Sequence, residues 1–260
     1  MLGMRINRWL LLFLALCACA SVQAAERILR VAVQTHSPPM SYVDAAGNLA
    51  GFNVGVARAL CETMNVRCEL AIVSLERVVD ALASGEFDFA AMSLLNTPER
   101  QAKIIFSKPY YRSTTVWFAK PGIEPESIDT AKGTPHAAPS SLRVGTVAGS
   151  IQSRYAQARQ WKVSSVRYHS ELPTLLLEGK VDAVMTPMIS ALALRQNKSL
   201  QSLGLVTSVM REAELGGDVC FGVDPTQPEL RERIDRALDK IKRDGRFDRL
   251  NTEYLPFRLQ

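Results

Sequence analysis

Thr97-Pro98-Glu99-Arg100-Gln101 sits between two short apolar runs, Phe87–Met92 and Ile104–Phe106. The first run reads as a buried strand bounded by polar turn residues. An arginine just past the end of a strand, on a proline-containing turn, is placed to point into a cleft. Its planar fork matches a carboxylate through two parallel hydrogen bonds. Anion binding is therefore the chemistry that Arg100 suggests, the alternative being a solvated arginine on a surface turn.

Other reactive chemistry is sparse. The chain has three histidines, His36, His136 and His169. His36 lies on the loop after the first strand and is within reach of a cleft, though a polar loop residue explains it as well. His136 falls in a Pro/Ala-rich loop, and His169 stands at a predicted helix start, where capping or solvation accounts for it. No Cys/His cluster has metal-ligand spacing. Gly145-x-x-x-Gly149-Ser150 lacks the lysine of a phosphate-binding loop, and no G-x-S-x-G elbow occurs. Gly216-Gly217 reads as a bend. No catalytic residue, metal or cofactor is expected.

The elements that must position Arg100 alternate along the chain. Ile28–Val33 reads as a strand broken by Ser37-Pro38-Pro39. Asn53–Met64 carries Val54, Ala57, Leu60, Cys61 and Met64 at helical spacing. A strand Glu69–Val73, a helix Leu75–Ser84 and the strand Phe87–Met92 follow. This βαβαβ order implies a mostly parallel sheet with helices on both faces. After a loop rich in Pro, Ala, Ser and Thr (Gly122–Ser141) the pattern restarts: strand Arg143–Val147, helix Ile151–Arg159, strand Val163–Arg167, helix Leu172–Leu177, strand Asp182–Met185. The last stretch, Asp218–Val223 plus helices over Pro228–Tyr254, has no sheet of its own and is expected to return to the first unit. The two crossings this requires lie near Tyr111–Val116 and Val206–Glu212. They suit a hinge, with a ligand cleft between the halves.

The chain has 260 residues, enough for two small lobes. Its first 25 residues read as a secretory signal: Arg5 and Arg8, the apolar run Trp9–Leu16, then small residues ending in Val22-Gln23-Ala24. A lipid-attachment box, Leu16-Cys17-Ala18-Cys19 with Cys19 modified, is the alternative. Loss of Arg5 and Arg8 lowers the formal charge from +5 to +3. With basic residues spread among acidic ones, a nucleic-acid surface is not expected. Cys61 and Cys68, seven apart, join the end of a helix to the start of a strand. In an oxidising compartment that spacing supports a disulfide, the alternative being two buried thiols. Cys220, in an apolar strand, reads as a small core residue.

Taken in order, several motifs resemble the extracytoplasmic solute-binding proteins of amino-acid ABC transporters, family 3, of the lysine/arginine/ornithine- or glutamine-binding type. They are Leu29–Val33, Ser37-Pro38-Pro39-Met40-Ser41-Tyr42, Gly47–Val54, Ala81–Asp88, Thr97–Arg100, Phe106–Tyr111, Val144–Ser150, Gly179–Val184 and Asp244–Asp248. The resemblance spans residues 28 to 256 and includes the Cys61–Cys68 pair, which matches a disulfide of the lysine/arginine/ornithine branch. It implies a two-lobed α/β fold of the periplasmic-binding-protein type, each lobe a mostly parallel sheet flanked by helices. It places lobe one at 26–112 plus 212–260 and lobe two at 113–211.

The same resemblance implies the binding residues. Arg100 falls where the family grips the ligand α-carboxylate, with Ser93 and Leu95 beside it. Leu75 falls where an aromatic often stacks on the ligand, and Gln34 and Ser37 lie on the first binding loop. Ser150, Ile151 and Gln152 open a helix whose free N–H groups favour a carboxylate. Thr186-Pro187 stand where the family carries the acid that pairs with an α-ammonium, and Thr186 is the residue there able to hydrogen-bond. A retained anion grip without the cation grip matches an organic or keto acid better than an ordinary amino acid.

The implied function is periplasmic binding of an amino acid or related small carboxylate for an ABC permease. The alternatives are a periplasmic enzyme of the same fold, similar to cyclohexadienyl dehydratase, or a ligand sensor for a separate membrane receptor.

Overall fold

A computed structural model describes residues 28–123 and 142–259. The signal segment, with Cys17 and Cys19, and His136 lie outside the described residues. The chain runs β1 (Leu29–Val33), β2 (Tyr42–Val43), β3 (Leu49–Ala50), α1 (Phe52–Met64), β4 (Cys68–Ile72), α2 (Val78–Ala83) and β5 (Phe89–Leu95). It continues with α3 (Pro98–Gln101), β6 (Ile105–Phe106), β7 (Tyr111–Ser113), β8 (Thr115–Ala119), β9 (Arg143–Val147) and α4 (Ile151–Ala158). Then come β10 (Lys162–Val166), α5 (Leu172–Leu177), β11 (Ala183–Pro187), α6 (Met188–Gln196), α7 (Lys198–Gln201) and β12 (Val206–Val209). The chain closes with β13 (Gly217–Val223), α8 (Pro228–Arg243) and α9 (Arg246–Tyr254).

The strands form two main sheets. One has the order β4-β1-β5-β13-β6, with β7 also paired to β13; the other has the order β10-β9-β11-β8-β12. In the first, β1 runs parallel to β4 and β5, while β13 is antiparallel to β5, β6 and β7. In the second, β9 is parallel to β10 and β11, and β8 is antiparallel to β11 and β12. The returning strand β13 is fully buried from Val219 onward and lies beside β5, as its lack of a sheet of its own implied. The two crossings do more than link the halves. Tyr111–Ser113, Thr115–Ala119 and Val206–Val209 are strands, which the interruption of the βα alternation concealed.

Local signals explain the elements. Gly51, at φ 110°, begins α1 where a Cβ would lie 2.6 Å from the Met40 carbonyl oxygen. Asn65 ends that helix in the left-handed conformation. In α8, Leu230, Ile234, Ala237, Leu238 and Ile241 bury one face while charged residues cover the other. The Arg100 segment is a one-turn helix and not a simple turn: Thr97 caps it, accepting from the Arg100 N–H at 3.4 Å, and Pro98 occupies its first position.

Cys61 and Cys68 are joined, linking the last turn of α1 to the first residue of β4. Cys220 is a buried free thiol that burial pushes up to about 12, so it stays protonated. Closing so short a loop is worth about 2 to 3 kcal/mol through the unfolded chain. Urea unfolding of the oxidised protein and of the Cys61→Ala/Cys68→Ala variant is expected to differ by about that amount. Equal stabilities would show that the crosslink adds nothing.

Candidate functional site

Where the two sheets face each other, their strand ends enclose a cavity of about 40 Å³. Carboxyl ends of parallel strands are where α/β folds place ligands. β1 delivers Gln34 and the Ser37 loop, β5 delivers Ser93 and Leu95, and α3 delivers Arg100; Leu75 lies before α2. From the second sheet, the turn after β9 brings Ser150, Ile151 and Gln152. The segments after β10 and β11 bring His169, Pro187, Ile189 and Ser190.

Arg100 is the electrostatic centre. It is only 5% exposed, and Nη1 donates to the Leu95 carbonyl at 3.0 Å. Nη2 reaches across the cleft to the Gly149 carbonyl at 3.2 Å. Desolvation, with a smaller contribution from nearby Arg154, pushes its pKa down to about 10, while Glu99 offsets part of this. The guanidinium remains charged at neutral pH. Among the described residues no carboxylate lies within ion-pair distance of it.

Beneath it, Ser93 adopts φ 58°, a conformation unusual for a non-glycine residue. The Asn53 side-chain amide donates to Ser93 Oγ at 2.9 Å, and the Tyr110 hydroxyl donates to Asn53 Oδ1 at 2.9 Å. This buried chain of polar contacts holds Ser93 at the cleft floor.

Across the cleft, Ser150 caps α4 by accepting from the Ser153 N–H at 3.0 Å. The N–H groups of Ile151 and Gln152 belong to the first turn and have no acceptor within the helix. Gln152 Nε2 donates to Thr115 Oγ1 at 2.8 Å, tying this turn to β8 at the crossing.

Further contacts bridge the two sides. Ser37 Oγ and His169 Nδ1 share a hydrogen bond of 3.1 Å. The Ser170 N–H donates to the His36 carbonyl at 3.2 Å, and the His36 and Tyr168 rings lie 4.7 Å apart. Arg154 and Glu99 pair at 3.0 Å near the surface, where such a pair contributes little. Gly149, at φ 75°, passes so close to Glu76 that a Cβ would lie 2.4 Å from the Glu76 Cα.

These contacts describe the closed form of a two-sided binding cleft. A family model of the bacterial extracellular solute-binding proteins, family 3, matches residues 29–257. The chain belongs to that family. ABC transporter arginine-binding protein 1 of Escherichia coli (strain K12) is 27% identical over 236 residues, covering 90% of this chain and 92% of its own. The lysine/arginine/ornithine-binding periplasmic protein of the same organism is 26% identical over 251 residues, covering 93% of each chain. A solved structure of an ancestral arginine-binding protein bound to arginine aligns with a TM-score of 0.72 at 28% identity. That alignment covers 88% of this chain and 99% of the other.

Nine of the residues singled out from this solute-binding pattern line the cavity: Arg100, Ser93, Gln34, Ser37, Leu75, Leu95, Ser150, Ile151 and Gln152. Thr186 does not. Side chains alternate along a strand. Thr186 shares a face of β11 with Val184, which packs in the core against Leu172 and Leu176, and it is 1% exposed. Pro187 turns to the cleft instead.

His169 is the main omission of the sequence reading. It is 8% exposed, lies in a wall of the cleft and engages Ser37, so capping and solvation do not describe it. Its place just beyond the carboxyl end of β10 was the available signal. His36, by contrast, is exposed.

Burial pushes the His169 imidazole down to about 4. The folded protein therefore holds it neutral, whereas the unfolded chain takes up a proton near the ordinary value of about 6.5. Its contribution to stability is complete above about pH 6.5 and is lost as the pH falls toward 4. Between these values the denaturation midpoint of the wild type is expected to fall more steeply than that of His169→Gln. Parallel curves would remove this role. Gly149→Ala is expected to hold the halves apart, enlarging the radius of gyration by solution scattering while the far-UV spectrum stays native. An unchanged radius would show that Glu76 gives way.

Proposed function

We propose that this protein captures a small carboxylate-bearing solute, an amino acid or a related acid, in the cleft and delivers it to the permease of an ABC uptake system. The observation that carries this reading is the buried Arg100 guanidinium, whose hydrogen bonds among the described residues go to carbonyl oxygens from the two sides. A desolvated cation of this kind favours an anionic guest, and its fork offers two charge-assisted bonds.

In this reading Arg100 and Ser93 hold the carboxylate from the first lobe, while Gln34 and Ser37 offer polar contacts to the rest of the solute. Leu75 and Leu95 form apolar walls. Ser150, Ile151 and Gln152 supply donors and the positive helix end from the second lobe. The lobes, 26–112 with 212–260 and 113–211, close as units about the Thr114 and Met210–Gly216 crossings. A ligand that touches both lobes only when they are shut stabilises the shut form. A permease that recognises that form then receives the solute. The similar proteins described as arginine-binding or lysine/arginine/ornithine-binding support the carboxylate-binding class. The basic and apolar leader, Arg5 to Leu16, supports export to the periplasm.

Calorimetry on the purified protein tests the central role. For the best carboxylate ligand, Arg100→Ala is expected to weaken binding at least about a hundredfold, since two charge-assisted bonds are lost from a dry site. Arg100→Lys is expected to recover part of the affinity by restoring the charge without the fork. Undiminished affinity in Arg100→Ala would remove the assignment.

A further inference from the structure

The geometry points to a short 2-oxo or 2-hydroxy monocarboxylate, an acid without an ammonium group, as the solute this cleft selects. The inference rests on the carboxylate-capture reading above and narrows it to one class of ligand.

Three observations carry it. The first is charge. Among the described residues lining the cavity none is Asp or Glu, whereas Arg100 brings a full positive charge. The lobe-two wall includes Pro187, which offers no side-chain acceptor, with Ile189, Ser190 and His169 beside it and the neutral Ser150, Ile151 and Gln152 at the helix start. An ammonium enclosed there beside the guanidinium would be desolvated without a counter-charge, a cost of several kcal/mol. A carboxylate meets no such penalty.

The second observation is an unspent donor. Gln34 is 4% exposed and lines the cavity, and its Nε2 is buried without a hydrogen-bond partner among the described residues. Buried donors left unpaired are rare and costly. A ligand oxygen next to the carboxylate, as a ketone or a hydroxyl, supplies the acceptor. An α-ammonium placed there donates to Gln34 Oε1 instead, which leaves Nε2 unpaired and brings a charge that the neutral amide does not balance.

The third is size. The cavity measures about 40 Å³. An apolar cavity of about 150 Å³ accommodates benzene, with six heavy atoms. Release of Arg100 from the Gly149 carbonyl frees some additional space, but the walls are set by direct contacts between the lobes: Ser37 with His169, Ser170 with His36, and Gly149 against Glu76. By that scale the closed cavity as it stands takes roughly one or two heavy atoms, so an acid of about five or six requires a modest widening, whereas a basic amino acid of about ten to twelve requires the lobe contacts to part much further.

The test is a calorimetric panel on the purified protein with pyruvate, L-lactate, propionate, L-alanine, L-lysine and L-arginine. Pyruvate or L-lactate is expected to bind at least about a hundredfold more tightly than L-alanine, which has the same carbon skeleton but carries the ammonium. L-arginine and L-lysine are expected to give no saturable heat. Gln34→Leu is expected to weaken pyruvate and L-lactate about tenfold while leaving propionate, which lacks the second oxygen, unchanged. A merely structural role for Gln34 would lower all three together.

Binding of L-alanine, L-lysine or L-arginine as tightly as the oxo and hydroxy acids overturns this inference. If that binding is lost in Arg100→Ala, the broader carboxylate-capture reading still stands. Absence of binding by every acid and amino acid in the panel overturns this inference and counts against the broader reading. Equal loss of all three acids in Gln34→Leu removes the assignment of its amide to the ligand's second oxygen.

Discussion

A single positive charge, taken out of water and held between two halves of the molecule, is the constraint around which the cleft is built. Arg100 leaves solvent almost completely, yet its partners are carbonyl oxygens and not carboxylates. Leu95 ends β5 in the first sheet, and Gly149 lies on the turn after β9 of the second. The guanidinium therefore registers whether the lobes are together. Carbonyl dipoles soften its desolvation without neutralising it, and the depressed pKa of about 10 is the residue of that imbalance. The cleft keeps an unbalanced positive field at neutral pH, which in the proposed reading selects for anions.

Holding that charge in place requires support from distant parts of the chain. The one-turn helix α3 starts from a threonine cap and a proline, which sets the direction in which Arg100 leaves the backbone. Ser93 occupies a left-handed conformation because Asn53 on α1 and Tyr110 before β7 tie it down. The strand β13, drawn from the far end of the chain, pairs with β5, the strand that carries Ser93 and leads into α3. Its return obliges the polypeptide to cross between lobes twice, near Thr114 and again between β12 and β13. Two crossings allow rotation of one lobe on the other while restricting shear. Gly149 then permits closure, since only a residue without a Cβ passes Glu76 at that distance.

Much of this was legible in the linear chain. The βα alternation, the helical stripe of Asn53–Met64, the amphipathic C-terminal helices and the Arg100 turn all carry local periodicities or breakers. The structure places them within a few residues of expectation; the strand expected over Phe87–Met92, for example, runs Phe89–Leu95. The strands β7, β8 and β12 were less legible. They pair antiparallel with partners far along the chain, and nothing local distinguishes Val206–Val209 from a connecting segment. Thr186 illustrates the limits of reading a site from its position along the chain. A shift of one residue along a strand exchanges the core for the cleft, so Pro187 faces the cavity and Thr186 does not.

By itself, then, the sequence determined the kinds of group available: an arginine on a capped turn, a glycine-serine helix start, an apolar Leu75, and no acid at Thr186 or Pro187. These are matters of residue type and local spacing, which the chain carries wherever it goes. The tertiary structure alone decided which of them meet. It brought His169 against Ser37 from 132 residues away, left Gln34 Nε2 without a partner, and set the width of the cavity. The reason is that such features depend on how two lobes approach each other, a distance fixed by long-range packing and invisible to any window of neighbouring residues.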